Sequence, residues 1–112
     1  MTSYRRGDVV LVRFIFTNES GAKHRPVLII STDAYHQGRQ EAIVAAITSN
    51  ISRLLVGDYL VTDWKAAGLL YPSIITGIIR TIKQDMIDKK LGVMPATDMQ
   101  AIENIIRTVL GL

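Results

Sequence analysis

Residues that could bind a negatively charged group are concentrated at Lys23-His24-Arg25-Pro26, directly before an apolar run at residues 27–30. A guanidinium stays charged at any relevant pH and can hold two oxygen atoms of one phosphate through paired hydrogen bonds. Pro26 disfavours helical backbone at Arg25, and proline is tolerated as the first residue of a strand. The sequence therefore predicts a cation fixed at the mouth of a strand.

A hydroxyl group stands at the end of a second apolar run. Residues 42–47 are followed by Thr48-Ser49-Asn50. If the two runs pair antiparallel, their similar lengths bring Arg25 and Thr48 to one edge of the sheet, where the hydroxyl could donate to the oxygens held by the guanidinium. The residue types alone leave another interpretation open, in which Arg25 is a surface cation before a strand and Thr48 a turn former.

Length and composition bound the class of protein. The 112 residues, 48% of them hydrophobic, predict one domain over 1–112 with enough apolar material for a core and for a self-association surface. The net charge of +3 permits nucleic acid as a partner without requiring it. We expect neither a metal nor another cofactor, because the chain has no cysteine and its two histidines lack an acidic cluster around them.

Targeting signals are not evident in the sequence. The polar N-terminus leads straight into a strand, and no apolar run approaches the roughly 20 residues that span a bilayer. We therefore expect a cytoplasmic protein without a membrane partner.

The pattern along the chain predicts a mainly β structure. Strands are expected at residues 9–16, 27–30, 43–47, 59–61 and 74–82, with Gly77 marking a bulge in the last of them. Short helical turns are expected at residues 34–37 and 64–67, and residues 83–90 are expected to form a charged connection. Thr97 and Gln100 fit a capping box that starts a C-terminal helix with one apolar stripe. These elements predict a small barrel of bent strands closed by a helix, with surplus aliphatic surface that favours a homodimer.

Several short motifs, taken in order, resemble one known family. They are Gly7-Asp8-Val9-Val10-Leu11-Val12, His24-Arg25-Pro26-Val27-Leu28-Ile29, Thr48-Ser49, Trp64-Lys65-Ala66-Ala67-Gly68-Leu69, Pro72-Ser73 and Leu91-Gly92. Their order and spacing resemble the MazF/PemK (Kid-like) toxins of type II toxin–antitoxin systems. The resemblance implies a homodimeric SH3-like or CcdB-like barrel that is a metal-independent, sequence-specific endoribonuclease. It also implies cleavage of single-stranded RNA to 2′,3′-cyclic phosphate and 5′-hydroxyl ends, and inhibition by a cognate antitoxin.

The resemblance also implies roles for individual residues. The family's catalytic arginine falls on Arg25 and its catalytic threonine on Thr48, while the loop before Arg-Pro carries no acidic residue nearer than Glu19. Because arginine is a poor proton shuttle, His24 is a candidate acid or base; the alternative is a neutral loop residue that hydrogen-bonds locally. The candidate RNA contacts are Asn18, Lys23, Ser49, Asn50, Arg53 and Ser73.

Two other functions remain open at this stage. One is a gyrase-poisoning toxin of the same CcdB-like barrel type, against which the pairing of Arg25 with Thr48 argues. The other is a non-catalytic nucleic-acid-binding SH3-like module, which would bind RNA without cleaving it.

Overall fold

The structure of the chain is a computed structural model that describes residues 3–15 and 22–112. Its elements, in chain order, are β1 (Asp8–Ile15), β2 (Ala22–Ile29), α1 (Asp33–Gly38), β3 (Glu41–Thr48), β4 (Tyr59–Leu60), β5 (Ile74–Lys83), a 3₁₀ turn (Gln84–Met86), β6 (Ile87–Val93) and α2 (Ala96–Leu110).

The six strands form one antiparallel sheet in the order β4-β5-β3-β2-β1-β6. Strands β2 and β3 pair from Val27 with Ala46 to Ile29 with Val44, as the two apolar runs predicted. The prediction of a mainly β fold with a C-terminal helix is confirmed.

Each face of the curved sheet covers its own apolar cluster. Strand alternation sends neighbouring side chains to opposite faces, so Val9 and Leu28 join one cluster while Val10 and Val27 join the other. Helix α2 covers the first cluster through Ile102, which is 2% exposed. The runs that carry Arg25 and Thr48 are thus anchored on both sides.

The bulge expected at Gly77 is present in β5. The pairing of β3 with β5 shifts between Ala45, opposite Ile79, and Ile47, opposite Ile75, so β5 carries extra residues there. The backbone N–H of Gly77 donates to Asp58 Oδ1 at 3.0 Å. This hydrogen bond ties the loop before β4 to the bulge.

Two strand predictions were wrong. Residues 83–90 are not a connection, because β6 begins at Ile87 and pairs with β1 as an edge strand, where charged side chains face water. Strand β2 begins at Ala22 rather than at residue 27, since β1 supplies a hairpin partner for residues 22–28. Pro26 pairs with Leu11 of β1 and lies one residue beyond the last β2–β3 pair, so its missing N–H interrupts no pair between β2 and β3.

Two helix predictions also need correction. Residues 64–68 form only a turn, which Gly68 ends at a φ of +84°. Helix α2 begins at Ala96 after Pro95 and has no side-chain cap, so the capping box at Thr97 does not form. The first turn is instead held by the buried carboxylate of Asp98, which accepts hydrogen bonds from Tyr59 and Thr62. In the part of the chain that the structure describes, no helix is long and apolar enough to cross a membrane.

Candidate active site

Arg25 lies inside strand β2, opposite Val12 of β1, rather than at the mouth of a strand as predicted. Alternation along β2 places it on the same side as Val27 and Ile29, which belong to the second apolar cluster. Because β3 pairs with β2 only as far as Val27, Arg25 sits just past the end of that ladder. The guanidinium is exposed at the margin of the sheet face.

Thr48 is the last residue of β3 and lies on the same sheet face as Arg25. Alternation from Val44, a member of the second cluster, carries the side chain of Thr48 to that face. Continuing the β2–β3 register two residues beyond Val27 and Ala46 sets Arg25 opposite Thr48. The expected juxtaposition of the two residues therefore follows from the pairing of the strands.

The hydrogen bonds leave both groups able to bind an anion. The guanidinium of Arg25 makes one long bond of 3.5 Å to the carbonyl of His24 and no ion pair with a carboxylate of the described residues. The hydroxyl of Thr48 accepts the backbone N–H of Asn50 at 3.1 Å. Since this bond uses an oxygen lone pair, the hydroxyl proton stays available for donation. The pair can thus present a charged donor and a neutral donor to one oxyanion.

A second arginine, which the sequence analysis missed, lies on this face. Arg80 of β5 pairs with Val44, and its guanidinium carbon stands 4.9 Å from the ring centroid of Phe14. Phe14 packs against the second cluster and lies opposite Lys23. A cation over an aromatic face is held in place without losing its charge. The available signal was one arginine inside the aliphatic run of residues 74–82.

His24 lies on the opposite side of β2 from Arg25, because adjacent strand residues face opposite ways. Its Nε2 is 3.3 Å from Oδ2 of Asp88 in β6, and both side chains are about half exposed. Its proposed role as acid or base stays a prediction, and this placement agrees with the alternative of a locally bonded histidine.

The predicted RNA contacts occupy different environments. Ser49, Asn50 and Arg53 are exposed beyond the end of β3, and Lys23 is exposed in β2. Ser73 is only 4% exposed, and its hydroxyl donates to the carbonyl of Tyr71 at 2.7 Å. Its RNA contact stays a prediction, although the hydroxyl is committed to the loop. Asn18 lies outside the described residues.

A separate cavity of about 760 Å³ opens at the other end of β3. Its lining includes Arg39 and Lys83, and both of these cations contact Glu41 at the start of the strand. The hydrogen bonds from Arg39 and Lys83 lower the pKa of Glu41 below its usual value. Glu41 thus offsets part of the positive charge of the lining, and the cavity is distinct from the Arg25 face. Among the described residues, no group of three or more His, Cys, Asp or Glu side chains could hold a metal ion.

The amino-acid sequence matches a known protein family over most of its length. Residues 5–110 fit the family described as PemK-like, MazF-like toxin of type II toxin–antitoxin system. The chain belongs to this family. Among curated relatives, endoribonuclease MazF2 of Mycobacterium bovis and endoribonuclease MazF6 of Mycobacterium tuberculosis are each 33% identical over 94 residues, which is 81% of this chain and 82% of theirs.

Solved structures of the family share the fold. A MazE–MazF structure from Deinococcus radiodurans superposes with a TM-score of 0.80 at 15% identity, covering 97% of this chain and 96% of that one. The Mycobacterium tuberculosis toxin MazF-mt6 gives 0.76 at 23%, covering 94% and 97%. A mycobacterial endoribonuclease in complex with its cognate antitoxin gives 0.74 at 22%, covering 98% and 97%. The predicted family and barrel type are confirmed.

Proposed function

We propose that this member of the PemK-like and MazF-like toxins is a sequence-specific endoribonuclease that cleaves single-stranded RNA in the cytoplasm. The observation that carries the proposal is the placement of Arg25 and Thr48 on one sheet face by the β2–β3 register. Relatives named as endoribonucleases, of which the chain covers more than four fifths, support it.

The proposed reaction is attack by a ribose 2′-hydroxyl on the adjacent phosphorus. The bond from the 2′ oxygen to phosphorus forms as the bond to the 5′ oxygen breaks, and the proton of the 2′-hydroxyl ends on the 5′ oxygen. Negative charge grows on the two non-bridging oxygens, which the guanidinium of Arg25 would hold with paired hydrogen bonds. Donors aimed at such charge typically lower the barrier by about 3–4 kcal/mol each.

Thr48 and Arg80 would complete the set of donors. The hydroxyl of Thr48 has its oxygen engaged by Asn50 and its proton free to donate, which suits a non-bridging oxygen or the attacking 2′ oxygen. Arg80 lies on the same face, above the Phe14 ring, and would add positive charge along the RNA backbone. Lys23, Ser49, Asn50 and Arg53 would contact the flanking nucleotides.

The test is cleavage of a mixed RNA pool by purified protein in buffer containing EDTA, followed by sequencing of the cleaved ends. We expect cuts within one short sequence, with 2′,3′-cyclic phosphate and 5′-hydroxyl ends, because the charges come from guanidinium groups rather than a metal. Intact RNA would contradict the proposal, and so would cleavage that needs an added divalent ion. A parallel supercoiling assay with gyrase tests the gyrase-poisoning alternative.

We infer that the active form is a homodimer. Exposed apolar side chains gather where the loop before β4, the bulge of β5 and the end of α2 meet. Val56 is 97% exposed, Ile78 60% and Val109 44%, and a Cβ added at Gly57 would stand 3.3 Å from Val109 Cγ2. Exposed apolar side chains on neighbouring segments favour burial against a second copy. Light scattering should give twice the chain mass, and Val56→Asp should give monomers.

We also propose a cognate antitoxin as the inhibitor. One related structure is an endoribonuclease bound to its cognate antitoxin. A disordered antitoxin segment with acidic and apolar residues could fold onto the RNA-binding face, where its carboxylates would meet Arg25 and Arg53. Antitoxin and RNA would then exclude each other.

A further inference from the structure

We propose that Tyr71 is a stacking platform for one RNA base beside the cleaved phosphate, an inference that rests on the proposed ribonuclease function. The residue lies in the loop before β5, outside the motifs that suggested the active site. Three features of the described chain support this role: its position, its backbone restraint and the exposure of its ring.

The position follows from the sheet register. Ile74, the first residue of β5, pairs with Thr48 on one side and with Leu60 on the other. Tyr71 is three residues before Ile74, so at most about 11 Å of chain separates their Cα atoms. The loop that carries the ring therefore begins at the end of the sheet where Thr48 lies. A nucleotide next to the phosphate at Thr48 would pass close to this loop.

The backbone around Tyr71 is restrained. Pro72 disfavours helical backbone at Tyr71 and so narrows its conformational range. The buried hydroxyl of Ser73 donates to the carbonyl of Tyr71 at 2.7 Å, and the carbonyl of Ser73 accepts the N–H of Val61 at 3.0 Å. The first bond spans the proline within the loop, and the second ties the loop to the residue that follows β4. A restrained loop loses little conformational freedom when a ligand binds.

The ring of Tyr71 does not pack in either apolar cluster. Tyr71 is 64% exposed, and its phenol makes no hydrogen bond with another described residue. In contrast, Tyr59 and Trp64 pack against the first apolar cluster. An exposed aromatic ring on a restrained loop at the Thr48 end of the sheet suits base stacking, which is largely independent of base identity. Tyr71 would therefore strengthen RNA binding, while other residues read the sequence.

The test compares Tyr71→Ala with Tyr71→Phe, which keeps the ring, and with Leu70→Ala, which removes an exposed apolar neighbour. The probe is an RNA oligonucleotide containing the mapped cleavage sequence, with a 2′-deoxy sugar at the cut so that binding is measured without cleavage. We expect Tyr71→Ala to weaken binding by about 5- to 150-fold, the range for a lost stacked base. Tyr71→Phe and Leu70→Ala should stay near wild type.

An abasic series identifies the partner of the ring. Each base of the oligonucleotide is removed in turn, and binding is measured with wild type and with Tyr71→Ala. A stacking contact predicts that the loss caused by Tyr71→Ala disappears at one abasic position and persists at all others. A purely structural role of the tyrosine would give the same loss at every position, and would overturn the inference.

The remaining outcomes separate this inference from the proposed function. If wild type neither binds nor cleaves RNA, both are wrong. If wild type cleaves RNA and Tyr71→Ala binds as tightly as wild type, only the stacking role is wrong. If Tyr71→Ala lowers the mass seen by light scattering, or if Leu70→Ala weakens RNA binding equally, the loop is an apolar protein contact and the stacking role is again overturned.

Discussion

Gly68 and Gly92 bring two backbone segments into direct contact. A Cβ added to either glycine would lie closer than 3.0 Å to backbone atoms of the other segment: to Leu91 and Gly92 from Gly68, and to Ala67 and Gly68 from Gly92. The turn that ends at Gly68 thereby covers part of the edge strand β6. Only glycine allows this approach. The two glycines therefore let the turn pack against β6, the edge strand that lies on the opposite side of β1 from β2.

Replacing Gly92 with alanine should destabilise the protein by about 3 kcal/mol or more, because the new methyl group must displace backbone rather than a flexible side chain. Urea unfolding measures the change. Gly38→Ala is the matched control, since a Cβ there meets nothing within 4 Å. Equal stability of the Gly92→Ala variant and the wild type would show that the two segments are not in contact.

Asp98 should stabilise the attachment of α2 to the sheet. Its carboxylate is 1% exposed and accepts from the Tyr59 and Thr62 hydroxyls and from the Thr62 and Asp63 N–H groups. A buried donor left without an acceptor costs about 1–3 kcal/mol. Asp98→Ala should therefore lose at least about 3 kcal/mol of unfolding free energy, while Tyr59→Phe, which removes one donor, should lose about 1 kcal/mol. A loss below that of Tyr59→Phe would contradict this role.

The pH dependence of stability follows from the same carboxylate. Burial raises the pKa of Asp98, but the hydrogen bonds from Tyr59, Thr62 and Asp63 outweigh it, and the pKa ends below its usual value. The stabilisation is then complete above the unfolded pKa of about 3.9 and declines as the pH falls through the lower folded value. Asp98→Asn should make the free energy of unfolding less dependent on pH below about pH 4. Denaturant titrations at several pH values measure this dependence.

Arg25→Ala should abolish detectable cleavage while the fold persists. Removal of one charged donor is expected to lower the cleavage rate by at least about 100- to 1,000-fold. Single-turnover cleavage measures the rate, and circular dichroism checks the fold. Arg39→Ala removes the same charge at the other end of β3, where the side chain pairs with Glu41, and should cleave at the wild-type rate. A folded Arg25→Ala variant that cleaves normally would disprove the assigned role.

RNA and antitoxin should compete for the dimer, and both affinities should fall as salt rises. Phosphate and carboxylate partners meet the same cations, whose interactions are screened by mobile ions. Titrating labelled RNA into the preformed toxin–antitoxin complex at several salt concentrations checks this. Arg25→Ala should lower the affinity of the dimer for both ligands. Simultaneous binding of both at full affinity would show that they use separate surfaces.

The sequence predicted the Arg25–Thr48 placement because it depends on local properties. Two aliphatic runs of similar length pair, and alternation decides which face each side chain takes. Pro26 marked the right region, although the strand continues before it to Ala22. The preceding residues look polar because they pair with β1 at an exposed part of the hairpin.

Other features depend on contacts distant in sequence. Strand β6 carries Asp88, Lys89 and Lys90 in succession, so its pattern resembles a solvated connection, and only pairing with β1 makes it a strand. The hydrogen bond from the Ser73 hydroxyl to the Tyr71 carbonyl could not be predicted, because it depends on a loop conformation that no periodicity encodes. Arg80 was missed because its ring partner, Phe14, lies in another strand.

The pairing of β1 with β6 joins the first strand to the last, with Val9 opposite Gly92. Pairing between such distant segments forms late, because a long stretch of chain must be ordered before the contact is made. A nascent chain still lacking β6 leaves one side of β1 open on the ribosome. The six-stranded sheet can therefore be completed only after β6 has been synthesised, later than the β1–β2 and β2–β3 pairings that position Arg25 and Thr48.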